Sequence, residues 1–120
     1  MATVKSYTDI SQSRKLAEFL PIESADAFYV IGKEPVDIIT IFGFVTHEHL
    51  REQIAYKRAI PCWSLASLLG VLPDYTLQTN TDGTVFVVCE SKKPMISDAY
   101  DSPVDACATM IEKLHELNLL

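Results

Sequence analysis

Residues 75–90 read YTLQTNTDGTVFVVCE, and this stretch decides the fold class. Two segments suited to strands, 75–80 and 84–90, flank the tripeptide Thr81-Asp82-Gly83. Glycine adopts a positive φ at little cost, which a tight turn between antiparallel strands requires. The first segment alternates apolar and polar residues, whereas residues 85–89 are apolar throughout. We therefore predict a β-hairpin whose first strand is an edge strand and whose second lies further inside a sheet.

The end of the chain carries the clearest helical pattern. Ser102 is the expected N-cap, Pro103 takes the first helical position, and Asp105 places a carboxylate in the first turn. Met95-Ile96 is predicted to form a short strand before it. Apolar residues then recur at helical spacing and define one face of the helix: Val104, Cys107, Ala108, Ile111, Leu114 and Leu117. This face should lie across the sheet.

The N-terminal half begins with a predicted helix, Ile10 to Leu20, which Pro21 ends. Residues 27–31, AFYVI, form a predicted strand, and residues 32–35 form a turn. Residues 36–45 are apolar on both alternate faces except for two polar residues. That pattern favours a strand covered on both sides, paired with 27–31 as a hairpin.

The middle of the chain is less uniform. Thr46 could cap a helix over residues 47–57, but this segment is polar and could equally be irregular. The conformation of residues 46–59 is therefore left undecided. Residues 60–73, IPCWSLASLLGVLP, predict a short buried helix, because Pro61 suits its first turn and Gly70 with Pro73 would end it.

Together these elements predict one α+β domain over residues 1–120. The expected architecture is a mostly antiparallel sheet of four to five strands with helices packed on it. The order is α-β-β-α-β-β-(β)-α, in which the bracketed strand is Met95-Ile96. The terminal helix and the helix around Trp63 should cover the sheet.

Charge and composition exclude several classes of function. The chain carries 10 basic and 16 acidic side chains, a net charge of -6. Nucleic-acid binders usually present a basic surface to phosphates, so we expect no nucleic-acid partner. There is neither a secretory signal pattern nor an apolar run of about 20 residues, so we expect a cytoplasmic protein without a membrane contact.

The side chains capable of chemistry are few. His47 and His49 are candidate metal ligands, but zinc needs three or four ligands and no second closely spaced pair accompanies them, so solvated histidines are favoured. Cys62, at a predicted helix N-terminus, is interpreted as a packed, reduced thiol, as are Cys89 and Cys107. No catalytic or cofactor-binding residue is assigned, and no cofactor is expected.

Three acidic residues, Asp98, Asp101 and Asp105, crowd the loop before the terminal helix. They lack the central glycine and distant glutamate of a calcium-binding EF-hand loop. Glu112 and His115 have the spacing of carboxylate-bridged di-iron sites, but one copy of that motif does not form such a site. We interpret these residues as helix-capping or surface groups.

Apolar residues offer candidate interaction sites. Trp63 is interpreted first as a core residue and second as an anchor for a partner. Leu117, Leu119 and Leu120 form an apolar end of the chain, and the strand at 75–80 offers a sheet edge. Apolar patches and open edges are common association sites.

Two of these stretches carry a resemblance. Residues 60–73, followed by the hairpin and then by the helix at 103–120, resemble a pattern in uncharacterised small proteins of gut Bacteroides-type bacteria, their mobile elements and phages. Residues 24–30, SADAFYV, are similar to the first strand of such proteins. The resemblance implies a bacterial protein with the same order of elements, and it implies no catalytic residues.

Two hypotheses of function follow from these patterns. The first is a non-enzymatic accessory or protein–protein interaction domain, with a homodimer or another protein as the partner. The alternative is a small enzyme or a ligand- or metal-binding protein with a pocket near His47, His49 and residues 98–105. The alternative requires distant segments to converge on one substrate.

Overall fold

The computed structural model describes residues 5–32, 37–42, 45–90 and 93–120. Over these ranges the chain is an α+β protein with four α-helices and two separate three-stranded antiparallel sheets. The helices are α1 (Ile10–Ala17), α2 (His47–Ala55), α3 (Leu65–Val71) and α4 (Pro103–Glu116). The strands are β1 (Ala27–Val30), β2 (Asp37–Thr40), β3 (Ala59–Cys62), β4 (Tyr75–Thr79), β5 (Val85–Cys89) and β6 (Met95–Ile96).

The first sheet has the strand order β2-β1-β3. β1 pairs with β2 from Ala27 opposite Thr40, as the predicted hairpin requires, and with β3 on its other side. α1 packs against β3, and the chain just after β3 is paired, because the Thr8 N–H donates to the Trp63 carbonyl at 2.9 Å and a β-bridge joins Tyr7 to Ser64. β2 is the opposite edge of this sheet and has no further strand beside it in the described part of the chain.

The second sheet has the order β4-β5-β6 and contains the predicted hairpin. Gly83 has a φ of 89° in the turn, so the glycine there has the conformational role that the sequence indicates. β5 is the central strand and β4 the edge strand, which confirms both expectations. Beyond β6, Val85 forms a bridge with Tyr100, so the side of β5 opposite β4 is occupied along its length.

The prediction of one four- to five-stranded sheet was wrong. The physical reason is that neither central strand has a free side: β1 is paired with β2 and β3, and β5 is paired with β4 on one side and with residues 95–100 on the other. Backbone groups that are already paired offer no place for a further strand. The hairpins could join only through their edge strands, and β2 and β4 are not hydrogen-bonded to each other; α3 lies between β3 and β4 in the chain.

The predicted helix over residues 60–73 was also wrong in its first part. Residues 59–62 form a buried strand, and α3 begins only at Leu65, with the Ser64 side chain accepting a hydrogen bond from the Ser67 N–H at 3.3 Å. The Ile31 N–H donates to the Arg58 carbonyl. Since hydrogen bonding alternates along the strand, the even-numbered residues of β3 bond β1 and Pro61 does not. The nitrogen of Pro61 points away from β1, where no donor is needed.

The described part of the predicted strand at 36–45 is not covered on both faces. The described strand is limited to β2, whose four residues are all exposed, and the remainder of the expected turn and strand at 33–36 and 43–44 lies outside the described residues. The apolar run was misleading because a short edge strand exposes its apolar residues as readily as a central one buries them.

The undecided segment after it is helical. Thr46 caps α2, since its hydroxyl accepts a hydrogen bond from the His49 N–H at 3.1 Å. The helix ends at Ala55, followed by Tyr56 as C-cap, and Lys57 has a positive φ of 58° in the chain reversal to β3. Within α2 only Leu50 is fully buried, because the rest of this short helix is polar.

The main hydrophobic core lies between α4, β5, α3 and α1. α4 buries seven residues against β5, α3 and α1. Five of them belong to the predicted face; Ala106 and Met110 are buried in addition, and Leu117 beyond the end of the helix is exposed. Pro103 stands at the first position, whereas the Ser102 hydroxyl makes no capping bond. A smaller second cluster forms between the first sheet and α2. Its buried members are Phe28, Leu50 and Ala59.

A polar contact joins α1 to α4. Asp9 caps α1 in a capping box with Gln12, and the Asp105 carboxylate accepts from Lys5 Nζ at 2.6 Å and from Gln12 Nε2 at 2.7 Å. α1 begins as predicted but ends at Ala17, three residues early. The longest helix has 14 residues, and no helix in the described ranges has the length and apolar content that crossing a bilayer requires.

Candidate functional site

The two candidate metal ligands on α2 point to different surroundings. His47 Nε2 lies 2.7 Å from the Ala25 carbonyl oxygen, a hydrogen bond that ties α2 to the start of β1. His49 is exposed and its ring lies 6.3 Å from that of Phe28. Because residues two apart diverge on a helix, the pair does not face one ion.

The acidic residues in the loop before α4 and in its first turn have different surroundings. Asp105 is engaged by Lys5 and Gln12, whereas Asp98 and Asp101 are exposed. Since His47 bonds Ala25 and Asp105 bonds Lys5, these two members of the predicted pocket have separate partners. In the described ranges no three His, Cys, Asp or Glu side chains are grouped so that they could hold a metal ion.

The three cysteines are free and fully buried. Burial raises the pKa of the Cys62 thiol to about 12, and the nearby Asp26 carboxylate adds to the shift. Burial likewise raises the pKa of Cys107 to about 11. A thiol nucleophile requires the thiolate, so these side chains are unreactive near neutral pH and behave as small core residues.

A polar cluster that the sequence did not reveal surrounds Asp26. Its carboxylate accepts from the Ser64 N–H at 2.9 Å, from the Ser67 hydroxyl at 3.1 Å and, through a short contact, from the Ser64 hydroxyl. A serine, a carboxylate and a histidine close by would suggest nucleophilic catalysis, but His47 bonds the Ala25 carbonyl instead of Ser64. The cluster caps α3 and joins it to β1.

A groove of about 430 Å³ lies between the end of α1 and α4. In it the rings of Phe19 and His115 stack at 3.9 Å with an interplanar angle of 4°, and Glu112 Oε1 is buried without a hydrogen-bond partner. Burial raises the pKa of the Glu112 carboxyl, an effect that Lys15 opposes. The Glu112 and His115 pair thus contacts neighbouring helix residues, and this contact alone defines no reaction.

The predicted interaction residues divide between core and surface. Trp63 is fully buried, and its Nε1 donates to the Ser24 hydroxyl at 2.9 Å, so it fills the core instead of anchoring a partner. Leu119 is half-buried against the main core. Leu117 and Leu120 are exposed at the end of the chain.

The longer edge strand of the second sheet is β4; the other edge strand, β6, has two residues. The five residues of β4 are exposed except for Leu77, which packs against the main core. β4 pairs with β5 residue by residue, from Tyr75 opposite Cys89 to Thr79 opposite Val85, without a bulge. No residue from 75 to 79 is charged.

The open edge of the first sheet is β2, and it is the more apolar of the two. Ile38 is 41% exposed and Ile39 is 36% exposed, although both are strand residues. Phe42 follows the strand and is 83% exposed. The sequence pattern missed this surface because it counted these residues as core; Asp37, a charge at the start of the strand, is the signal that argued against burial.

Scans against models of protein families, curated proteins and solved structures each find no match for this chain. The resemblance to small Bacteroides-type proteins therefore stays a prediction. The described surface is marked by the edge strands β2 and β4 and by the exposed ring of Phe42.

Proposed function

We propose that this chain is a non-enzymatic protein-interaction domain that binds an extended segment of a partner protein along β2. The observation that carries the proposal is the exposure of Phe42, Ile38 and Ile39 on an open sheet edge. Edge strands with unpaired backbone groups add a strand from another protein, and the exposed side chains then select it.

The backbone of β2 offers hydrogen bonds to such a segment. The Ile41 N–H donates to the Asp26 carbonyl at 3.0 Å, so the odd-numbered residues of this segment bond β1. Because bonding directions alternate along an antiparallel strand, Ile38 and Thr40 direct their N–H and C=O groups away from β1. These four backbone groups can pair with an added strand.

The side chains along this edge give the added strand apolar contacts on both faces. Ile39 lies opposite Phe28 and shares its face, whereas Ile38 lies opposite Tyr29 on the other face. A partner strand with apolar residues at successive positions would contact both isoleucines. Asp37, at the start of β2, favours a basic residue at the matching end of the partner segment.

The placement of the reactive side chains also supports an interaction domain. His47, Asp26 and Asp105 are engaged in hydrogen bonds that join elements of the fold, and the three thiols are buried. None of these hydrogen bonds joins a nucleophile to a histidine base, the arrangement that activates a nucleophile. The enzyme alternative consequently lacks a specific observation in its favour.

The test is quantitative co-purification from cells of the natural source with the wild-type protein and with Phe42→Ser. We expect a protein that is retained by the wild type and is depleted at least about tenfold with Phe42→Ser, because aromatic anchors carry much of the binding free energy. The bound segment, made as a peptide, should then bind the wild type in isothermal titration.

Tyr56→Ser is the matched control. Tyr56 is 64% exposed but lies beyond the end of α2, near Arg58, at the other end of the sheet from Phe42. The partner should be retained by this variant. Equal retention by Phe42→Ser and the wild type, or the absence of any partner that the wild type enriches, would contradict the proposed function.

A further inference from the structure

The geometry points to a second interaction: we propose that two copies of this chain pair along β4 and form one continuous six-stranded sheet. The surface is distinct from β2, and this inference does not depend on the proposed function. It rests on three features: the direction of the backbone groups of β4, the absence of charge along the strand, and the residue pairs that face each other across a two-fold axis.

β4 presents three residues with unpaired backbone groups. The Glu90 N–H donates to the Asp74 carbonyl at 2.9 Å and the Asn80 N–H to the Thr84 carbonyl at 2.8 Å, so the even-numbered residues bond β5. Tyr75, Leu77 and Thr79 therefore direct their N–H and C=O groups away from β5. Three alternate residues whose backbone groups point outward are enough to form a regular antiparallel ladder with another strand.

The edge lacks the features that prevent pairing in other proteins. Charged side chains, prolines and bulges are the usual protections of an edge strand, and residues 75–79 contain none of them. The other edges in the described ranges differ. β3 has α1 packed against it and contains Pro61, β6 has two residues, and β2 begins with Asp37.

A second copy can meet β4 without a like-charge contact. The net charge of -6 opposes self-association at long range, so two copies can pair only where the facing surfaces carry no charge, as residues 75–79 do. A two-fold axis at Leu77 places Leu77 opposite itself and Tyr75 opposite Thr79 of the second copy. Asp74 then lies opposite Asn80 of the second copy, so no two carboxylates face each other.

This arrangement also extends the core. Tyr75, Leu77 and Thr79 lie opposite the buried residues of β5 and share their face. Pairing through Leu77 would place two half-buried leucines side by side. Three residue pairs would each exchange two backbone hydrogen bonds, which gives the contact a fixed register.

The first test compares Thr79→Pro with Thr79→Val by sedimentation equilibrium. Proline removes the outward N–H of residue 79, which β5 does not use, and edge strands tolerate it there. We expect the wild type and Thr79→Val to form dimers and Thr79→Pro to raise the dissociation constant at least about tenfold, since two hydrogen bonds per dimer are lost.

The second test fixes the register through a mixed disulfide. Thr76 should lie directly opposite Gln78 of the second copy, at a Cα separation of about 4.5 Å, which a disulfide can span. Mixing Thr76→Cys with Gln78→Cys protein should give a cross-linked dimer. Either variant alone should not, because its cysteines would be diagonal neighbours about 7–8 Å apart. The native thiols are buried and should not interfere.

Three results would overturn the inference: a wild type that stays monomeric at every concentration, a Thr79→Pro variant that dimerises as well as Thr79→Val, or cross-linking that is independent of mixing. Circular dichroism should show that Thr79→Pro keeps its fold. Phe42→Ser should remain a dimer, so loss of the partner at β2 and loss of the dimer at β4 are separate outcomes.

Discussion

At the scale of single residues, Asp26 joins two elements through three hydrogen bonds to its carboxylate. It precedes β1, yet its carboxylate accepts from the backbone and hydroxyl of Ser64 and from the hydroxyl of Ser67 at the start of α3. Trp63, immediately before Ser64, is held by Thr8 and Ser24. A network of hydrogen bonds thus positions the chain where β3 ends and α3 begins.

Replacing Asp26 should reveal the strength of this network. Asp26→Ala leaves the Ser64 N–H without its carboxylate, and hydrogen bonds to a charged group contribute about 1.5–3 kcal/mol. We expect a loss of about 2–3 kcal/mol in the free energy of unfolding, measured by urea denaturation. Asp37→Ala, on exposed β2, is the control and should change stability by less than about 0.5 kcal/mol. Equal losses would contradict the role of Asp26.

The buried thiols predict how stability depends on pH. The pKa of Cys62 rises from its ordinary value of 9.0 to about 12 and that of Cys107 to about 11, because burial disfavours the thiolate. Above about pH 9 the unfolded chain loses these protons while the folded chain keeps them, so its stability is fully present below that pH and falls as the pH rises further. Urea denaturation between about pH 8 and pH 10.5 should show this fall.

Cys107→Ala should flatten this dependence, since it removes one of the thiols that ionise only on unfolding. Iodoacetamide is the independent probe: the native protein should react slowly near neutral pH and the denatured protein rapidly. A stability that does not change over this pH range, or fast labelling of the native protein, would contradict the burial of the thiols.

At the scale of elements, α4 organises the main core. Its buried face contacts β5, α3 and α1, and the Lys5, Gln12 and Asp105 contact fixes its first turn. The same helix illustrates how far periodicity reaches. The predicted residues from Val104 to Leu114 are buried, but Ala106 and Met110, which the prediction did not include, are buried as well. Leu117 is exposed because it is the C-cap, where the backbone leaves the helical conformation.

Ile111→Ala tests the packing of this face. Ile111 is fully buried in the main core, so removing its side chain loses apolar burial and leaves a cavity. We expect the free energy of unfolding to fall by about 2–5 kcal/mol in urea denaturation. Lys113→Ala, exposed on the same helix, should be close to neutral. A loss well below 1 kcal/mol for Ile111→Ala would show that the face is misplaced.

At the scale of the whole molecule, the two sheets are supported unequally. The main core joins the second sheet to α4, α3 and α1, whereas the cluster around the first sheet and α2 has three fully or nearly buried members. Free energies of local opening follow the density of buried apolar contacts. The open edge at β2, where we place partner binding, thus belongs to the less supported sheet.

Hydrogen exchange should reveal this difference. We expect the amides of β5 and α4 to exchange most slowly, at rates set by global unfolding, and those of β2 and α2 to exchange faster through local opening. Exchange followed by NMR or mass spectrometry measures both sets in one experiment. The internal control is β1, which bonds strands on both sides and should exchange more slowly than β2. Slower exchange in β2 than in β5 would contradict the inferred distribution of stability.

Local signals by themselves determined much of this fold. Gly83 in its turn, Pro103 at the helix start and the periodicity of α4 each encode a conformation within a few residues, because φ preferences, caps and a 3.6-residue period act locally. The α+β class, the β4–β5 hairpin and the buried thiols followed from such signals.

The tertiary structure alone decided how the strands were distributed and which apolar residues remained outside. Residues 59–62 became a strand because β1 pairs with them, and β2 became an open edge because nothing described lies beyond it. Pairing partners distant in sequence set both outcomes, and an apolar run has the same composition whether it is covered or exposed. The sequence did not predict the exposure of Phe42 or the hydrogen bonds of Asp26 for this reason. Both depend on which distant segments lie nearby, and a local pattern does not encode that.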